Sequence, residues 1–255
     1  MSIGTLSLLV GGSLVAGFVD ALIGGGGLIL IPLLLIAAPG MPATSALATN
    51  KVAGISGTAS AAVAMLRRVP VDRHLLYRAV PLAALCSAAG ALLASSLSSD
   101  VLRPIVIVLL LAVGVYVTFR PTFGADNNAS TVVTRGRWVA ALLLVAVIAG
   151  YDGFFGPGTG MFLIIIMTAL LNRSFVESAA MTKVINTATN LGALVVFAVG
   201  GHVWWLLGVG LAIANIAGAQ LGARLVIAKG TGLVRVALLT LVVVMTAKLT
   251  WDMLH

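Results

Sequence analysis

Residues 4 to 38 form an apolar stretch of 35 residues whose only charged group is Asp20, interrupted by Gly24-Gly25-Gly26-Gly27. As a single helix it would be about 52 Å long, against a hydrocarbon core of about 30 Å. It is too apolar to lie in water and too long to cross a bilayer once, so it must bend back, and the glycines mark the bend. A second break, Gly156-Pro157-Gly158-Thr159-Gly160, cuts an apolar run at the matching place in the other half of the chain.

The 60% hydrophobic and 9% charged content fits a bilayer rather than water, since a soluble globule has about a quarter of its residues charged. Runs such as Val106 to Phe119 and Trp138 to Ala149 carry no acid or base and do not alternate as a spanning barrel strand would. The expected class is an all-α integral membrane protein. Its net charge of +8 resides mostly in short loops, where it sets topology and implies no nucleic-acid partner. The single cysteine, Cys86, excludes an internal disulfide, and no metal or other cofactor is expected. No Lys or Arg precedes Lys51, so the first segment is expected to stay in the membrane as a helix rather than act as a cleaved leader.

Shifting the sequence by 133 residues lays Gly25, Gly27 and Leu28 on Gly158, Gly160 and Met161; a shift of 132 lays Lys51-Val52 on Lys183-Val184 and Arg103 on Arg235. The expected units are a first repeat at 1–119, a cytoplasmic linker at 120–137 and a second repeat at 138–255. The spacing predicts helices over 4–23, 28–38, 43–66, 75–97 and 101–119, and again over 138–155, 160–172, 175–199, 203–226 and 232–253. The loop at 67–78 carries Arg67, Arg68, Arg73 and Arg78, whereas its counterpart Gly200-Gly201-His202 carries no Lys or Arg. The loop at 95–100 has no basic residue, whereas its counterpart region holds Arg224 and Lys229. Equivalent loops therefore face opposite sides. Two inverted repeats are expected, each a glycine-broken helical hairpin plus three transmembrane helices, with the hairpin tips near the midplane. Irregular backbone survives at that depth only where it lines a cavity or is buried in protein.

Paired interrupted segments point to a carrier's binding site. A helix that opens with glycines presents free N–H groups backed by the positive end of its dipole, a setting for anions. The candidate substrate-binding residues are Gly24, Gly25, Gly26, Gly27, Asn50, Lys51, Gly156, Gly158, Thr159, Gly160, Lys183, Asn186 and Asn190. Lys51 and Lys183 lie about 12 Å into their helices, where a cation is costly and marks function or a structural ion pair. Asp20 and Asp152 beside the two breaks are candidates to balance those lysines, to orient the loops or to carry a coupled proton. Trp138, Trp204, Trp205 and Trp251 fall at expected membrane boundaries. Zincin, hydrolase-elbow and phosphate-loop motifs are absent, so no enzyme is expected.

The segment Gly17-Phe18-Val19-Asp20 through Gly24-Gly25-Gly26-Gly27 to Pro32, followed by Ala48-Thr49-Asn50-Lys51, resembles the TauE/SafE family of membrane transporters. The second half is similar again, in Gly150-Tyr151-Asp152-Gly153-Phe154-Phe155-Gly156-Pro157-Gly158-Thr159-Gly160, Thr182-Lys183-Val184-Ile185-Asn186 and Asn190-Leu191-Gly192-Ala193-Leu194. The resemblance implies a multi-pass permease of the bacterial cytoplasmic (inner) membrane that exports sulfur-containing anions such as sulfite or organosulfonates. Its motifs fall on the glycine loops and on Lys51 and Lys183. The expected partners are that small anion and the lipid bilayer, with a homodimer left open. A passive anion channel and an exporter of another small organic anion are the alternative expectations.

Overall fold

The computed structural model describes residues 2–119 and 133–229, and within them the chain is helical with no strand. The elements are α1 (Ile3–Ile23), α2 (Gly27–Ala37), α3 (Ala43–Leu66), α4 (Arg73–Ser96), α5 (Ser99–Phe119), α6 (Arg135–Phe154), α7 (Thr159–Leu171), α8 (Phe175–Val199) and α9 (Trp205–Lys229). Each lies within three residues of its expected bounds. The linker from 120 to 132, the helix expected at 232–253, Arg235 and Trp251 lie outside the described residues. Helices α1, α4, α6, α8 and α9 are long and apolar enough to cross a membrane, whereas α2 and α7 are short apolar arms of 11 and 13 residues. Those arms reach about 16 and 20 Å, roughly half a bilayer or a little more.

Local chemistry fixes the ends. The Ser2 hydroxyl accepts from the Thr5 N–H to open α1, the Asp72 carboxylate accepts from Leu75 N–H to open α4, and Ser174 with Glu177 forms a full capping box on α8. Gly24 ends α1 in the left-handed conformation at φ 78°, which lets the chain reverse into α2 within three residues. Exposed Leu, Val and Ile along α1, α4, α5, α6, α8 and α9 form an apolar outer surface suited to lipid tails.

The helices of each half pack largely on the other half. Helix α1 lies along α9 and α6 along α4, while α3 packs on α8 and α9, and α4 on α8. Small residues permit the close approach: a Cβ on Gly218 or Gly17 would overlap the backbone of Leu14 or Asn215, and one on Gly90 or Gly153 would overlap that of Gly150 or Ser87. Gly218 and Gly222 are thus used inside the chain.

Two contacts give α3 and α8 their relative direction. Arg173, just before α8, pairs with Asp72, beyond the end of α3, at 2.6 Å. Thr49, near the start of α3, accepts from the Trp204 N–H just beyond the end of α8 at 3.2 Å. The two helices therefore run antiparallel. The Arg173 end also gathers the starts of α4 and α6, where the Arg78 guanidinium stacks 4.9 Å from the Trp138 ring.

Candidate functional site

The hairpin α1–α2 turns at Gly24 to Gly26, and α6–α7 turns at Phe155 to Gly158. The two turns touch inside the protein, because a Cβ on Gly24 would overlap the Gly160 backbone and one on Gly27 would press on Pro157 at 3.3 Å. Helix α2 begins with backbone carbonyls of Gly25 and Gly26 bonded to Leu28, Ile29 and Leu30, and α7 with those of Gly156 and Gly158 bonded to Thr159, Met161 and Phe162. Among the described residues, no backbone carbonyl takes the N–H of Gly25, Gly27, Gly158 or Gly160. These are the orphan donors that a helix start leaves over.

Each lysine is bound by the aspartate of the opposite half. Lys51 on α3 donates to the Asp152 carboxylate at 2.9 Å and to the Asp152 carbonyl oxygen at 2.6 Å. Lys183 on α8 donates to the Asp20 carboxylate at 3.0 Å and to the Asp20 carbonyl oxygen. Both lysines are buried; Asp152 is too, while the Asp20 side chain is 17% exposed and also accepts from the Gly26 N–H at 3.3 Å. Lys51 is eight residues from the start of α3 and Lys183 eight from the start of α8, about 12 Å in each case. Because α3 and α8 are antiparallel and about 36 Å long, the two lysines stand about 12 Å apart in depth. Asp152, seventeen residues along α6, reaches about 25 Å in from the arginine-rich end to meet Lys51. Asp20 does the same from the other end along α1.

Between these groups lies a cavity of about 30 Å³ lined by both turns, with Asp20, Gly24, Gly26, Gly27, Asp152 and Gly156 on its walls. Asn50, Lys51, Gly54 and Thr58 line it from α3, Asn186 and Asn190 from α8, and Asn215 from α9. The Asn50 side chain bonds to no other described residue, so its amide faces the cavity unspent. The Asn190 amide donates to the Asn186 carbonyl at 2.8 Å, which fixes its orientation, and the Asn215 amide donates to the Ser13 carbonyl at 3.1 Å.

Of the expected residues, Asp20, Gly24, Gly26, Gly27, Asn50, Lys51, Asp152, Gly156, Asn186 and Asn190 meet at this cavity. The others stand behind it. A Cβ on Gly25 would face the side chains of Leu28, Ile23 and Val19, one on Gly158 would press on Val113, and Gly160 packs on Gly24. Thr159 spends its hydroxyl on the Gly156 carbonyl at 2.7 Å, and Lys183 acts at the Asp20 side of the cavity. Gly54, Thr58 and Asn215 were not singled out from the sequence. An amide in the apolar middle of α9 was the available signal for Asn215, and the 132-residue shift from Asn186 and Asn190 was the signal for Gly54 and Thr58.

The family model described as "Sulfite exporter TauE/SafE" matches residues 9–249. The chain belongs to the TauE/SafE family. It is 36% identical over 253 residues to a protein of Haemophilus influenzae described as "Probable membrane transporter protein", covering 99% of this chain and 97% of that one. It is 36% identical over 253 residues to "Probable membrane transporter protein ORF9" of Sinorhizobium sp, covering 98% and 94%, and 34% identical over 244 residues to "Probable membrane transporter protein YfcA" of Escherichia coli, covering 94% and 87%. No solved structure matches. This TauE/SafE chain is a multi-pass membrane transporter with bacterial relatives, not an enzyme.

Proposed function

We propose that the protein is a secondary carrier that exports small sulfur oxyanions, sulfite foremost, across a bacterial inner membrane. The observation that carries the reading is the polar cavity between the two glycine turns, where the orphan Gly27 N–H, the free Asn50 amide and the Lys51 ammonium converge. Such donors replace the water an anion loses on entry. The size of the cavity favours a compact cargo. The cavity holds only about 30 Å³, so a four-atom oxyanion needs less opening than a long sulfonate.

The two halves, 1–119 and 138–255 with the linker 120–137 between them, are proposed as inverted repeats. The reciprocal packing of α1 on α9 and α6 on α4, the antiparallel α3 and α8, and the exchanged pairs Lys51–Asp152 and Lys183–Asp20 support that relation. A two-fold axis in the membrane plane generates this kind of exchange. The Lys51 pair lies toward the Trp204 end and the Lys183 pair toward the arginine-rich end, so each can close the cavity from one side while the other opens. Alternating opening of that kind favours a carrier over a passive pore.

Sulfite flux into proteoliposomes tests the reading, with sulfate, sulfoacetate and acetate as competitors. Saturable flux that internal sulfite accelerates is expected. Linear flux without counterflow supports a channel, and no sulfite flux with saturable flux of a competitor reassigns the cargo.

A further inference from the structure

We infer that an anion enters this site together with a proton, because the site already holds as many carboxylates as ammonium groups. The inference rests on the reading of the cavity as an anion site.

The charge count is closed. Lys51 faces Asp152 and Lys183 faces Asp20, so among the described residues the empty site is neutral and no ammonium is left over for a cargo. Each ammonium is held twice by its aspartate, at the carboxylate and at the backbone carbonyl, and the backbone contact does not depend on charge. An arriving anion can therefore take the place of the carboxylate on the lysine while the carbonyl keeps the ammonium in position. The displaced carboxylate then stands unpaired beside a second negative charge in a buried cavity, where repulsion is scarcely screened. A proton resolves this state: Asp–COO⁻ and H⁺ become Asp–COOH, the anion binds the retained ammonium, and the site returns to its original net charge for a monovalent cargo. On release the anion leaves, the carboxyl gives up its proton to the same side, and the ion pair closes again.

Among the described residues, no other titratable group is placed to accept that proton. Around Asp152, α3 brings Lys51, α4 brings Cys86 near the Gly150 backbone, α8 brings Lys183, and α7 carries no titratable residue. The neighbouring Tyr151 spends its hydroxyl on the Pro157 carbonyl at 2.7 Å. Around Asp20, α8 brings Lys183, α3 brings Lys51, α9 carries Arg224 on its exposed surface, and α2 and α7 carry none. Protons also reach Asp20 more readily than Asp152, since the Asp20 side chain is 17% exposed and the Asp152 side chain 3%. Asp20 is therefore the first acceptor.

The test is titration calorimetry of sulfite onto the purified protein in detergent. Buffers of differing ionisation enthalpy report the protons taken up, at a pH where sulfite is present as the monovalent hydrogensulfite ion. About one proton per sulfite is expected for the native protein, falling to near zero in Asp20→Asn. Sulfite binding without proton uptake overturns the inference and leaves the anion site standing. Uptake that persists in both Asp20→Asn and Asp152→Asn places the proton on the cargo and also overturns it. No heat of sulfite binding sinks the site reading and the inference with it. Should the Asn variants fail to fold, the native protein in liposomes decides: a pH gradient alone must drive sulfite uphill, and its failure to do so in vesicles that show sulfite counterflow refutes the coupling.

Discussion

Replacing Lys51 with Met should destabilise the protein more than any other single change at the site. The Lys51 side chain is 2% exposed and that of its partner Asp152 3%, so the substitution strands the Asp152 carboxylate in the interior with no donor of comparable strength. Breaking a buried pair from one side costs about 3–5 kcal/mol. Lys183→Met strands Asp20, but that carboxylate is 17% exposed and keeps the Gly26 N–H at 3.3 Å, so the loss should be roughly 1–2 kcal/mol smaller. Removing both charges with Lys51→Met and Asp152→Asn together eliminates the stranded ion, and the double variant should be more stable than the two single costs added by about 2 kcal/mol or more. Unfolding in detergent by denaturant, followed through tryptophan fluorescence, reads the native protein, the three single variants Lys51→Met, Asp152→Asn and Lys183→Met, and the double variant. Simple additivity, or a Lys51→Met cost below about 1 kcal/mol, would refute the view that the pair is a closed, buried charge unit.

Asn50→Ala removes an amide that bonds to no other described residue, so stability should hold while KM for sulfite flux rises about tenfold or more, the worth of a hydrogen bond to a charged group. Gly160→Ala forces the two turns apart because its Cβ would overlap the Gly24 Cα, and flux should be lost. Gly201→Ala, at φ 71° with open space around it, should cost only about 1 kcal/mol and leave flux intact. Thr182→Val deletes a buried hydroxyl that has no partner among the described residues, so unfolding measurements should find the variant as stable as the native protein or more stable by about 1 kcal/mol.

The helix bounds were legible because apolar run length, glycine breaks and capping residues are local signals. The Ser174–Glu177 capping box marks the start of α8 directly in the sequence. The acids that balance the lysines were legible as a set, because in an apolar chain Asp20 and Asp152 have few possible partners. Which acid meets which lysine was not. The repeat shift aligns Asp20 with Asp152 and Lys51 with Lys183, but it is silent on whether pairs form within or across halves. Only the packing of α3 against α8, and the depth that each hairpin reaches, brings Lys51 to Asp152. The glycine turns misled in a similar way. Four adjacent glycines look equivalent in sequence, yet Gly24, Gly26 and Gly27 line the cavity while Gly25 faces the apolar packing of its own hairpin.

The most direct test of the central claim, that the cavity between the glycine turns holds the transported anion on the paired lysines, is sulfite counterflow in proteoliposomes, native protein beside Asn50→Ala and Lys51→Met at matched insertion. Saturable counterflow is expected in the native protein, with a raised KM in Asn50→Ala and loss of counterflow in Lys51→Met. Native-like counterflow in both variants would contradict it and place the anion elsewhere in the chain.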